Sequence, residues 1–232
     1  MSDLAKEQST QSEARPFLKW VGGKRQLVPE LMRHVPAKFG TYHEPFVGGG
    51  ALFFALLPDD ATISDLNKRL VRTYRGVCNS VDDVIELLKS CPYDREFYYR
   101  TRELDADALQ NHELAAWFIY LNKTGFNGLY RVNKSGGFNV PFGRHTNPTI
   151  CDEPNLRACS AALQRARTLN TGFEAVLERA NPGDFVYFDP PYVPLSATSS
   201  FTSYTSDGFT AADQLRLRDV ALRLKHKDVH VL

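Results

Sequence analysis

The sequence predicts an α/β protein: a mostly parallel, doubly wound sheet interrupted by a mainly helical insert. Three observations predict it. Short strand-like apolar runs alternate with longer helical ones towards both ends of the chain. A glycine cluster, "VGGG", stands where a strand gives way to a helix. Between them, positions 81–122 are helical in pattern throughout. Strands that alternate with helices join as parallel neighbours through crossovers, so the helical block reads as an insertion into one sheet.

Taken in order, "MSDLAKEQSTQSEA" at positions 1–14 is polar, lacks the apolar run of a signal peptide, and reads as a disordered lead. Positions 41–75 open the α/β unit. "TYHEPF" is a short strand, "VGGG" a turn, "ALFFALL" an apolar helix, and "ATISDLN" a second strand ending at Asp65. "VDDVIELLKS", "REFYYRTREL" and "HELAAWFIYLN" are helical. Positions 123–154 are rich in Gly, Asn and Pro and read as a long ordered loop or β-hairpin. "NLRACSAALQRA" reads as helix, leading towards a strand "FVYF" at 185–188. A Ser/Thr-rich loop at 195–210 precedes the amphipathic helix "AADQLRLRDVALRLK", and "VHVL" begins another strand. The core is therefore discontinuous, formed by 15–67 and 155–232, with 68–154 as an inserted domain.

Hydrophobic content of 43% and charged content of 24% are those of an ordinary globular chain with a sizeable core. No run approaches the ~18 apolar residues of a membrane span. Cys78, Cys91, Cys151 and Cys159 form no C-x-x-C pair, which argues against zinc and fits reduced thiols in a cytoplasmic protein. The net charge of +1 names no partner, but its distribution does. From Leu114 to Cys151 there is no acid, and between Ala14 and His43 the only one is Glu30. Two basic segments in a neutral chain point to a polyanion-facing side, with nucleic acid the leading candidate and solvated basic loops the alternative.

Two motifs carry chemistry. In "EPFVGGG", Gly48, Gly49 and Gly50 lie between strand and helix, where backbone can approach a ligand closely. Asp65, at the end of the next strand, is placed to accept hydrogen bonds from a ribose diol, or else to cap a helix starting at Leu66. Together they suggest an adenosine-containing cofactor at the carboxyl edge of the sheet. In "FVYFDPPY", Pro190 and Pro191 stop the ladder at once. Asp189 and the Pro190 carbonyl then form two fixed acceptors suited to one exocyclic amino group, and Tyr192 offers a face for a planar base.

"FLKWVGGK", "EPFVGGG", "ISDLN", "YLNKTGFNGLYRVNKSGGFNVPFGR" and "DPPYVPLSAT", in that order, resemble the Dam-type DNA adenine N6-methyltransferases of the D12 class. The resemblance runs from about Arg15 to Leu232. It implies a Rossmann-like methyltransferase sheet carrying a DNA target-recognition insert. It also implies S-adenosylmethionine as methyl donor, no metal, and adenine in double-stranded GATC as target, for a cytoplasmic, monomeric bacterial or phage enzyme. By motif, Trp20, Lys24, Asp65 and Asp189 match cofactor-contacting positions, and Phe46 packs beside the cofactor adenine in the turn of Gly48 and Gly50. Asp189, Pro190 and Tyr192 match the catalytic group. Lys19 matches a DNA-contacting lysine and Arg131 the arginine that reads a guanine. Phe126, Asn127 and Leu129 match residues at the DNA joint, with Arg144 and His145 in the adjoining loop. Relatives often carry tyrosine where this chain has Phe126 and His145, so any hydrogen bond from a phenol at position 126 is lost.

The resemblance implies base flipping followed by direct in-line transfer, without the cysteine adduct used on a cytosine ring carbon. Methylation of cytosine N4, RNA adenine or a glutamine amide is the enzymatic rival, and the long recognition block disfavours it. The family pattern continues past "VHVL" to complete that strand and add an antiparallel pair at the sheet edge. The expectation is therefore a C-terminally truncated enzyme, with a catalytically impaired DNA-binding remnant as the alternative.

Overall fold

The computed structural model describes residues 14–191 and 209–232. Five strands, β1 (Tyr42–Glu44), β2 (Ala61–Ser64), β3 (Ala166–Leu169), β4 (Phe185–Val186) and β5 (His230–Val231), form one sheet in the order β3-β2-β1-β4-β5. All neighbours are parallel. The α/β class expected from the sequence is the one observed. Strand β1 is central; the chain leaves it for β2 and β3 on one side, then crosses back to β4 and β5 on the other. In such sheets the crevice beyond the carboxyl ends of the diverging strands is the place for a ligand.

Two layers of apolar side chains hold the sheet. Phe185 and Val186 are successive in β4 and so face opposite ways; they fall in two different clusters. The larger cluster joins Phe17, Tyr42, Phe53, Ile63 and Leu70 to the helical block. The smaller one packs Phe173, Val176, Leu177 and Val229 under helix α8 (Ala211–Lys225). A reciprocal cap between Thr210 and Asp213 starts α8.

Helices α2 (Ala51–Leu56), α4 (Val81–Lys89), α5 (Arg95–Arg102) and α6 (Asn111–Thr124) follow the expected order, and α3 (Lys68–Asn79), where no element is expected from the sequence, stands between α2 and α4. Helix α6 is buried continuously from Leu114 to Asn122 and packs against α3, α4 and α5. A helix apolar all round belongs inside, and α6 is the axis of the helical block. Helix α3 also packs on β3 and on α7 (Glu153–Leu163), joining that block to the sheet. The chain's early segment is stitched to distant parts. The Arg15 amide donates to Asn155 Oδ1 at 3.0 Å, Asn155 Nδ2 donates back to the Arg15 carbonyl at 3.1 Å, and the Arg15 guanidinium pairs with Asp152 at 2.6 Å.

Besides α3, two further elements differ from expectation. Helix α7 ends at Leu163, and Ala166–Leu169, expected in part as helix, is strand β3 at the sheet edge. None of its residues is fully buried, so the sequence there has no apolar run to announce a strand. Helix α1 (Val28–His34), opened by Pro29, buries no residue and was likewise not expected. Regular pairing in β4 stops at Val186. The Tyr187 and Phe188 amides still donate to the His43 and Leu232 carbonyls, each at 2.9 Å, so extended backbone reaches Asp189 before the prolines. Positions 125–142 form a loose antiparallel ribbon closed by the bridges Gly125–Phe142 and Val132–Phe138.

Candidate active site

At the carboxyl end of β1 the chain turns over Gly48 and Gly50, whose φ angles of 46° and 68° lie in the left-handed region. The close approach there is made by the protein itself. A Cβ on Gly48 would stand 2.7 Å from Trp20 Cδ1, and one on Gly50 2.9 Å from the Tyr74 hydroxyl. Tyr74 donates to the Gly48 carbonyl at 3.0 Å.

The tip of β2 is tied to this turn. Asp65 accepts from the Gly48 amide at 3.2 Å and from the Asn67 amide at 2.8 Å. The N-cap of α3 is Asn67, whose side chain accepts from the Leu70 amide, so Asp65 does not cap a helix beginning at Leu66. Burial pushes the Asp65 carboxyl up to about 6, against the pull of the amides that donate to it. Asn170 adds two bonds, to the Asp65 and Leu66 carbonyls at 2.9 and 3.0 Å.

Across the crevice, Asp189 follows β4 and meets Lys24 Nζ at 2.5 Å. Burial raises the Asp189 carboxyl, and the lysine opposes that shift. Beneath them Glu44, the last residue of β1, is buried and accepts from the Tyr42 hydroxyl at 2.8 Å. Burial first, and then the Asp189 charge, push Glu44 up to about 8. Pro190 follows directly, half-buried, while Tyr192 lies outside the described residues. Phe46 packs nearly parallel to Phe173, with centroids 5.4 Å apart, and meets Phe188 and Phe209 edge-on. These rings form an apolar wall beside the crevice.

The second group of expected residues collects on the α6 side. Asn122, almost fully buried, accepts from the Lys19 amide at 2.8 Å and donates to the Lys19 and Gly128 carbonyls at 2.9 and 2.8 Å. This clamps Lys19 to the turn of Phe126, Asn127 and Gly128. Phe126 is exposed, Asn127 has a φ of 54°, and Leu129 is half-buried. Gly128, at φ 64°, leaves room for the Lys19 side chain to cross it. Arg131 is exposed but anchored: its Nε donates to Asn139 Oδ1 at 2.7 Å and its Nη2 to the Asn139 carbonyl at 3.2 Å. Arg144 is exposed. His145 is not turned outward with them; its Nε2 lies 3.0 Å from the Gly125 carbonyl and its amide donates to the Tyr93 hydroxyl.

The two basic segments meet at Lys123. Burial lowers its pKa, and the neighbouring cations Lys19, Arg15 and Arg25 lower it further against Asp152. Among the described residues no group of three His, Cys, Asp or Glu side chains is arranged to hold a metal ion. No helix among them is long and apolar enough to cross a membrane. The four cysteines are free thiols, and burial pushes Cys159 up to about 12.

Sequence reasoning missed Glu44, Phe173, Asn122, Tyr130 and Asn139. Glu44 was within a quoted motif, but only packing reveals a buried carboxyl. The asparagines act through their distance from Lys19 and Arg131, which spacing does not encode.

A parallel sheet with a glycine turn after its central strand, and carboxylates at the tips of both neighbours, defines the Rossmann-like class that holds nucleotide-type ligands at its strand ends. A model of the D12 class N6 adenine-specific DNA methyltransferases matches residues 20–232, and the chain belongs to that family. It is 44% identical over 233 residues to the type II methyltransferase M1.LlaDCHI of Lactococcus lactis subsp. cremoris, an alignment covering 97% of this chain and 82% of that protein. With the type II methyltransferase M.MjaIII of Methanocaldococcus jannaschii it shares 45% identity over 229 residues, 88% of this chain and 78% of the relative. The DNA adenine methylase of Escherichia coli K12 is 36% identical over 222 residues, 94% and 79% of the two chains. The chain is thus an adenine-specific DNA methyltransferase; its substrate is DNA, and its family implies S-adenosylmethionine as cofactor.

Proposed function

We propose that this chain methylates N6 of adenine in double-stranded GATC by flipping the base and transferring the methyl group directly. The observation that carries the reading is Arg131, exposed yet held in one plane by two bonds to Asn139, on a ribbon beside Lys19 and Phe126. A planar, pre-ordered guanidinium suits bidentate pairing with a guanine edge, worth ~1–3 kcal/mol of discrimination. Segments 15–67 and 155–232 form the cofactor core of this reading and 68–154 the recognition insert, acting as a cytoplasmic monomer.

The donor set suits the cofactor. Asp65 offers acceptors to a ribose diol, Lys24 a cation to a carboxylate, and the Phe46–Phe173 wall a surface for adenine. S-adenosylmethionine, when bound, supplies an electrophilic methyl on a sulfonium. Asp189 and the Pro190 carbonyl accept the two N6 hydrogens of the flipped adenine, which turns the nitrogen lone pair out of ring conjugation. Tyr192 stacks on the base, and Phe126 fills the vacated space. Lys24, already on Asp189, opposes the burial that raises that carboxyl. Positioning and electrostatics supply the acceleration.

The test is transfer of labelled methyl groups to GATC duplexes and to duplexes substituted at each base, with nucleosides identified by mass spectrometry. N6-methyladenine confined to GATC is expected. Equal transfer to substituted duplexes refutes the site, and N4-methylcytosine refutes the target base. A second reading concerns role. Two relatives named type II methyltransferases favour a restriction-modification partner over a housekeeping methylase.

A further inference from the structure

Tyr130 immediately precedes Arg131, the proposed guanine reader. Its ring lies parallel to Phe118, with centroids 4.7 Å apart and 7° between planes. It also stacks on Trp20, at 5.8 Å and 21°. Trp20 in turn covers the glycine turn of β1, with its Cβ 3.2 Å from where a Cβ on Gly49 would sit. Four residues on, Lys24 reaches Asp189. Segment 20–24 therefore borders the crevice on one side and Tyr130 on the other.

On its far side, the Tyr130 hydroxyl meets the side chains of Asn67 and Arg69, two and four residues beyond Asp65. Arg69 donates to the Gly136 carbonyl at the ribbon tip at 2.7 Å and pairs with Asp107. The opposite limb of the ribbon is anchored through Phe138, which contacts both Tyr130 and Trp117. Both limbs thus rest on one aromatic cluster whose outer member, Trp20, faces the glycine turn.

We propose that Tyr130 is a positioning residue through which occupancy of the cofactor crevice sets the orientation of Arg131. Stacked rings in a close-packed cluster do not slide independently. A ligand that orders segment 20–24 orders Tyr130, and with it the backbone that carries Arg131. By linkage, cofactor and guanine-containing DNA then favour each other's binding by the same factor. The inference rests on the GATC reading for its DNA arm and on the β1–β4 crevice for its cofactor arm.

The experiment measures the dissociation constant of GATC duplex with and without saturating S-adenosylhomocysteine. The wild type should gain at least about 5-fold from the cofactor product, the lower end of usual coupling. Tyr130→Leu should lose that gain, while Tyr130→Phe, which keeps the stack, should retain it. An unchanged gain in folded Tyr130→Leu overturns the proposal. A second arm needs neither a variant nor DNA. Hydrogen exchange of wild-type amides at 130–140 should slow on adding S-adenosylhomocysteine, and unchanged exchange there, with protection confined to 44–50 and 65–67, overturns it. If the wild type binds substituted duplexes as tightly as GATC in both conditions, the GATC reading fails, and the exchange arm alone decides this inference.

Discussion

Replacing Asn122 by alanine tests whether the Lys19 segment and the Phe126 turn are one unit. The side chain makes three hydrogen bonds, one accepted and two donated, all to backbone. Alanine leaves the Lys19 amide and the Lys19 and Gly128 carbonyls without that partner at a site almost closed to water. At ~1–1.5 kcal/mol for each lost bond, the cost is about 3–5 kcal/mol. For a chain of this size that lowers Tm by at least about 6 °C, at the usual ~2–4 °C per kcal/mol. Asn122→Asp is the sharper control, since a carboxylate keeps the acceptor but faces two carbonyls. Its stability should rise as pH falls, because protonation restores one donor. Urea unfolding gives the free energies, and titration with duplex DNA reports whether Lys19 and Phe126 still act together. An alanine variant within about 1 kcal/mol of wild type, with unchanged DNA affinity, would refute the clamp.

Asp189→Ala should lower single-turnover methyl transfer at least ~100-fold, as deletion of one transition-state acceptor does elsewhere; near-normal chemistry would sink its role. Arg131→Ala should erase preference at one guanine, whereas Lys134→Ala should weaken all duplexes alike and reduce the salt slope. Equal losses on GATC and substituted duplexes would show that Arg131 does not read a base. Glu44, raised from an ordinary 4.5 to about 8, is protonated in the fold and ionised when unfolded between those values. The folded state then holds the extra proton, so stability is full below about pH 4.5, falls as pH rises towards 8, and levels above it. The slope is up to ~1.4 kcal/mol per pH unit. Glu44→Gln should flatten it, and urea midpoints from pH 5 to 8.5 that keep the wild-type slope would count against a buried neutral carboxyl.

Much of the scaffold was legible because its signals are local. The glycine turn, the tips at Asp65 and Asp189, the helices α4–α6 and the whole of α8 each announce themselves in a dozen residues or fewer of pattern. Edge strand β3 did not, since "ARTL" buries nothing completely. The candidate site divides the same way. Lys24 and Asp189 stand in recognisable motifs, but their 2.5 Å contact bridges 165 positions of sequence. His145 sits in a basic loop, and only the carbonyl of Gly125 shows that its ring is turned in. Motifs name candidate groups; long-range packing decides which of them meet.

The stitching of Arg15 to Asn155 and of Lys19 to Asn122 spans 140 and 103 positions. On the ribosome, residues 15–19 therefore emerge long before any of those partners exists. At ~5–20 residues per second the wait for Asn155 is roughly 7–28 s. During that time the backbone on either side of buried Phe17 and Leu18 lacks its partners, Asn155 for Arg15 and Asn122 for Lys19. Local helices can form early, but the crevice-lining segment with Trp20 and Lys24 locks only after α7 has left the exit tunnel. Synthesis past Asn155 is thus the step that completes residues 15–24, and an arrest before it leaves the Arg15 end of that segment untethered.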